Sequence, residues 1–116
     1  MRNIDKLIAA LRSGEYTQTR EKLRDNSGHC CLGVGCDIYH KETGKGRWEY
    51  DEQNHYFRFI DTNNISSAAV MLPEVMEYFG LVGAQPSEMI KMNDNKGRSF
   101  SEIADWVEEH SKTIQS

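Results

Sequence analysis

Ile4, Leu7, Ile8 and Leu11 recur at i, i+3, i+4 and i+7, the spacing that lines apolar side chains along one face of a helix. Asn3 stands where an N-cap is expected and Gly14 where the chain leaves the helix, so the first element is an amphipathic helix. From Tyr16 to Arg24 the pattern changes to polar alternation around Thr17 and Thr19, followed by the turn residues Asp25-Asn26-Ser27-Gly28. A strand over Thr19 to Arg24 is the reading. Between Cys30 and His40, Cys31, Val34, Gly35 and Ile38 return to helical spacing, and Gly33, Gly35 and Cys36 are small enough for another element to approach the backbone. This predicts a buried helix, in which each glycine costs about 1 kcal/mol relative to Ala.

After the Gly44-Lys45-Gly46 loop, Arg47 to Tyr50 and His55 to Ile60 are aromatic-rich runs flanking a polar Asp51-Glu52-Gln53-Asn54, which reads as a hairpin. Asn63-Asn64 is a turn, and Ser66 to Leu72 reads as a strand, either internal or at an interface. Pro73 at a first helical position, Val75, Met76 and Phe79 on one face and Gly80 as a stop make a short helix, with Leu81 packing back on it. Ser99-x-x-Glu102 is a capping box, and Phe100, Ile103, Ala104 and Val107 carry a last helix to about His110, after which the final residues fray. Helices separated by short hairpin strands, without βαβ alternation, predict an α+β fold of about four helices on a small antiparallel sheet. At 116 residues this is one domain, 1–116.

Composition narrows the class. Apolar residues make up 38% and aromatics 9%, enough for one core and too many for a disordered chain. No apolar run approaches the roughly 18 residues needed to cross a bilayer, and the first residues lack the apolar stretch of a secretory signal. A soluble protein without a membrane partner is expected. Net charge is −4, but ten Lys/Arg stand against nine Asp/Glu in residues 1–58 and four against nine in 59–116. Such a chain is a poor partner for duplex DNA, which needs many cations on one face, and still admits a compact anionic ligand.

The segment His29-Cys30-Cys31…Cys36-Asp37…His40 holds the residue types of a zinc or thiol site but not the spacing: adjacent cysteines diverge, and Cys36/His40 has no second pair to join it. Buried, reduced cysteines fit better, with Asp37 finding hydrogen-bond donors beside a buried helix. Asn93-Asp94-Asn95-Lys96-Gly97 fails as a calcium loop, because Met92 and Ile103 would fill carboxylate positions; it reads as a turn with local side-chain bonds. Gly33-x-Gly35 is no dinucleotide fingerprint. Glu102, Asp105, Glu108 and Glu109 form a mutually repelling solvated face on the last helix. No metal, cofactor or catalytic constellation is expected, and the protein is not read as an enzyme.

One cationic pattern remains. On a strand from Thr19 to Arg24, Arg20, Lys22 and Arg24 share a face, where guanidinium groups bind phosphate bidentately. Lys45 and Arg47, beside Trp48 and Tyr50, add charge and stacking surface of the kind that holds nucleobases. These seven residues are the candidate ligand site.

Leu11-Arg12-Ser13-Gly14-x-Tyr16, Leu23-Arg24, Cys30-Cys31-Leu32-Gly33-Val34-x-Cys36-Asp37, Leu72-Pro73, Gly80-Leu81, Asn93-Asp94 and Ser99-Phe100-x-Glu102-Ile103-Ala104-Asp105 together resemble a widespread family of small phage and prophage proteins. The Cys-Cys-Leu-Gly-Val-x-Cys-Asp run is the most specific piece, and Gly35 departs from the larger apolar residue usual there. The resemblance implies a phage origin and a place in the host cytoplasm. It extends to viral sponge proteins of the anti-CBASS or anti-Thoeris kind, which sequester a cyclic-nucleotide signal without cleaving it. A sponge of this kind implies a cyclic-nucleotide ligand and a homo-oligomer, with Ala68-Ala69-Val70-Met71-Leu72 as the candidate interface. The alternatives are an acidic protein that inhibits a host enzyme through its C-terminal half and, behind it, a small thiol- or metal-dependent enzyme.

Overall fold

A computed structural model describes residues 1–112 as five helices around a four-stranded antiparallel sheet, an α+β domain. The helix α1 (Asn3–Arg12) buries Ile4, Leu7, Ile8 and Leu11, the stripe its spacing predicts. Its cap falls one residue earlier than expected, at Arg2, whose backbone N–H donates to the Asp5 carboxylate at 3.0 Å. β1 (Arg24–Asp25) is followed by α2 (Cys31–Thr43), the hairpin β2 (Arg47–Asp51) and β3 (Tyr56–Ile60), and β4 (Ser66–Ser67). α3 (Pro73–Phe79), α4 (Gln85–Asp94) and α5 (Phe100–His110) complete the chain; Ser99 caps α5 with the reciprocal Glu102 bond of a capping box. The expected fraying of the last residues lies outside the described residues.

β3 is the centre of the sheet. β2 runs along one side of it, with Trp48 opposite Phe59 and Tyr50 opposite Phe57, while β1 and β4 share the other side. Phe59 is fully buried and joins Leu7, Leu32, Val34, Val75, Phe79, Met89, Ile103 and Val107 in one core. Cys30, Cys31 and Cys36 are buried, unbridged thiols inside it.

Three expectations need correction. The strand over Thr19 to Arg24 does not form. Glu21 takes φ +72°, a left-handed conformation that breaks a pleat, and its N–H turns to the Asp94 carboxylate at 2.9 Å. Thr17 and Thr19 instead bond His29 across the turn, leaving Arg24–Asp25 alone to join the sheet. The Ser66–Leu72 strand shrinks to two residues because Ser67 Oγ accepts the N–H groups of Ala69 and Val70, turning the chain off the sheet. Met71 and Leu72 enter the core while Ala69 and Val70 stay exposed. Asn93 and Asp94 belong not to a local turn but to the last turn of α4, a helix additional to the four expected.

Gly33 explains how α2 sits so close to the segment before β1. A Cβ there would lie 1.7 Å from the Leu23 carbonyl oxygen, so only glycine admits this approach. At Gly35 the crowding atom is the flexible end of Met71, 2.6 Å away. Among the described residues no helix is long and apolar enough to cross a membrane.

Candidate functional site

Gly14 leaves α1 and Tyr16 to Thr19 cross over α2, where the His29 N–H donates to the Thr17 carbonyl and the Thr19 N–H to the His29 carbonyl, each at 2.8 Å. This crossing places Tyr16 above Asp37, one helical turn before Lys41. The Asp37 carboxylate accepts from Tyr16 Oη at 2.6 Å, Lys41 Nζ at 3.0 Å and Trp48 Nε1 at 3.1 Å. Burial would raise its pKa, but the bonds from Tyr16, Lys41 and Trp48 outweigh that and hold it below the usual carboxylate range. The Tyr16 hydroxyl, conversely, is pushed up to about 12 by burial and by donating to Asp37. Asp37 is thus the donor-satisfied carboxylate expected of it, and a weak base.

Beside it lies a cleft of about 390 Å³ whose lining includes Glu15, Tyr16, Arg24, Ser27, His29, Asp37 and Lys41, two cations and two carboxylates. His29 stands edge-on between Tyr16, with centroids 5.1 Å apart, and Trp48, 5.8 Å away. Burial depresses its pKa to about 4, so the imidazole is neutral at physiological pH. Its Nε2 is buried without a hydrogen-bond partner, which adds to the cost of placing the ring there. The Arg24 guanidinium sits 4.1 Å from the Phe57 ring centroid and 5.5 Å from that of Trp48. Among the described residues no carboxylate pairs with Arg24.

Of the seven residues expected to bind ligand, the fold brings together three. Arg24 faces the cleft, Trp48 supports it, and Tyr50 stacks at a tilt on Phe57 with a centroid distance of 4.9 Å. The indole of Trp48 is committed to Asp37 and Arg24 rather than free for a base, so Tyr50, 38% exposed, is the open aromatic surface. The other four are dispersed. Lys22 lies over Tyr56 at 4.7 Å, and Tyr56 points to the opposite face of β3 from Phe57, so Lys22 and Arg24 reach opposite sides of the sheet. Arg20 is exposed on the bent segment, Lys45 lines a separate groove with Tyr39, Glu74 and Tyr78, and Arg47 pairs with Glu49 at 3.9 Å.

Tyr16, His29 and Lys41 escaped the sequence reading of the site. Lys41 carried one visible signal, its i+4 spacing from Asp37. Tyr16 and His29 meet only through pairing across a turn.

Burial raises the Cys30 thiol to about 11 and both Cys31 and Cys36 well above their ordinary value, which keeps the nucleophilic thiolate scarce. Among the described residues no group of three His, Cys, Asp or Glu is placed to hold a metal ion. The acidic face of α5 is partly neutralised: Arg12 bonds Asp105 at 2.7 Å and Glu108 at 3.2 Å, and Arg98 bonds Glu102 at 3.3 Å. The expected repulsion along α5 is therefore offset by cations from α1 and the preceding loop.

Tyr16, Arg24 and Asp37, which lie in separate segments of the chain, meet at this one cleft. No curated protein and no solved structure matches the chain. The family model described as a domain of unknown function (DUF8296) matches residues 2–111, so the chain belongs to the DUF8296 family.

Proposed function

We propose that this protein binds a cyclic-nucleotide signal at the Arg24 cleft and sequesters it without cleavage, as a phage-encoded anti-defence protein acting in the host cytoplasm. The observation that carries this reading is the Arg24 guanidinium, held on two aromatic rings, with no carboxylate partner among the described residues, and facing a cleft that Lys41 also lines. Stacking fixes the guanidinium plane while leaving its N–H groups to a phosphate, the arrangement in which Arg binds bidentately. The Ser27 hydroxyl and the Lys41 ammonium, both on the cleft lining, supply further polar contacts that orient a small ligand. A sponge requires binding only, which suits an Asp37 whose lone pairs are already engaged by three donors.

Native mass spectrometry with a panel of cyclic di- and trinucleotides tests this directly, because bound mass and subunit number appear in one spectrum. Saturable binding of an intact nucleotide is expected. Arg24→Ala should weaken it by on the order of tenfold to a hundredfold, the worth of a charge-assisted hydrogen-bond pair. Arg20→Ala and Lys45→Ala, whose side chains lie away from the cleft, should leave it within about twofold of wild type. A ligand-free protein across the panel would overturn the proposal.

A further inference from the structure

The two sides of the sheet are finished differently. Beyond β3 on one side stand β1 and β4, each two residues long, the short strands with which proteins blunt an edge. On the other side β2 presents five residues without Pro, Gly or a bulge, its register with β3 unbroken from Arg47↔Ile60 to Asp51↔Tyr56. Its outer edge has no strand partner among the described residues.

The order Arg47-Trp48-Glu49-Tyr50-Asp51 is self-complementary about its centre. We infer that β2 pairs antiparallel with β2 of a second copy, across a two-fold axis at Glu49, to form one continuous sheet. Arg47 of each copy then stands opposite Asp51 of the other, and Trp48 opposite Tyr50, giving two opposite-charge and two aromatic cross-strand pairs. Glu49 meets its own equivalent, and the charge there is compensated: Arg58 is its cross-strand neighbour on β3 and Arg47 lies 3.9 Å away. Arg47, Arg58, Glu49 and Asp51 from both copies bring no net charge to the seam. An isologous contact of this kind closes at two subunits. Trp48 and Tyr50 lie on the sheet face that holds the cleft, so the two clefts open on the same side of the dimer. The interface thereby moves from Ala68–Leu72, where the structure leaves only Ala69 and Val70 exposed, to the hairpin edge.

Sedimentation equilibrium over a concentration series reads the assembly without reference to any ligand. Wild type should be a reversible dimer. Arg47→Glu and Asp51→Lys should each weaken it about tenfold by facing like charges twice across the seam, and an equimolar mixture of the two should dimerise again, since both pairs are then complementary. Val70→Ser should dimerise as wild type does. A wild type that stays monomeric, a dimer indifferent to both charge variants, or one lost in Val70→Ser overturns the inference. Asp51 also accepts bonds in the hairpin turn, so far-UV circular dichroism must show the variant folded. Should it not be, amide exchange on wild type decides: protection in residues 47–51 should rise with protein concentration, and its failure to do so is equally fatal.

Discussion

His29 and Asp37 make the stability of the cleft depend on pH. The folded His29 pKa of about 4 lies below the ordinary 6.5, so between these values the unfolded chain binds the proton that the folded one refuses. Stability from this group is full above about pH 6.5 and is lost as pH falls toward 4, by about 1–3 kcal/mol after discounting for partial exposure. Asp37 is lowered and adds its own loss only further down, below the ordinary carboxylate value. Urea midpoints at pH 7 and pH 4.5 should therefore differ in wild type, and the difference should shrink in His29→Gln to the part that the lowered carboxylates such as Glu74 and Glu108 contribute. At neutral pH, Asp37→Ala should cost about 3 kcal/mol, because the Trp48 and Tyr16 donors lose their acceptor in a half-buried place. Lys41→Ala, which removes an exposed partner of the same carboxylate, should cost less than about 1 kcal/mol, and denaturant titration of the pair separates the two effects.

At the scale of elements, the glycine in α2 and the asparagine in α4 decide how the pieces dock. Gly33→Ala forces a methyl into the Leu23 carbonyl, and since neither backbone yields cheaply the variant should lose about 3 kcal/mol or more, visible as a melting temperature lower by on the order of 10 °C. Asn93 is fully buried with every polar atom engaged: Oδ1 accepts from Gln18 Nε2 and the Cys31 N–H, and Nδ2 donates to the Thr19 carbonyl and Asp94. Asn93→Leu should cost about 3 kcal/mol in the same assay, having orphaned those groups. Helices α1, α2, α3 and α5 were legible because their apolar spacing, with the Pro73 and Gly80 bounds of α3 and the capping box of α5, is a local signal, whereas the α1 cap falls at Arg2 and not at Asn3. Helix α4 was not, since Gln85–Asp94 buries only Pro86, Met89, Met92 and a polar Asn93, a stripe too thin to read without its neighbours. The false strand at Thr19–Arg24 failed for a kindred reason: the left-handed Glu21 is held by Asp94, a residue remote in sequence. In the site, Arg24, Trp48 and Tyr50 stood out by residue type, whereas Tyr16 and His29 acquire meaning only when the loop folds over α2.

For the molecule as a whole, one core joins the sheet to all five helices, and α1 is tied to α5 through Arg12 and through the Arg2 bond to the Ser111 carbonyl at 2.6 Å. Such a domain should unfold in one cooperative step. The two tryptophans report from separate regions, Trp48 on the sheet and Trp106 on α5. Trp48→Phe and Trp106→Phe should therefore each show a fluorescence midpoint coincident with its own circular-dichroism midpoint, and a split between the two signals would mean two folding units.

The cleft draws Tyr16, Arg24, His29 and Asp37 from segments that meet only in the folded chain, and this ties any occupancy of it to folding by mass action. Whatever occupies it binds the native state alone, so an occupant at a hundred times its Kd adds about 2.7 kcal/mol to the free energy of unfolding. For a domain of this size that corresponds to a rise in Tm on the order of 10 °C. The protein is thus its own thermometer: heated against fractions of a small-molecule extract, it reports a true occupant by melting later, before anything is known of that occupant's identity.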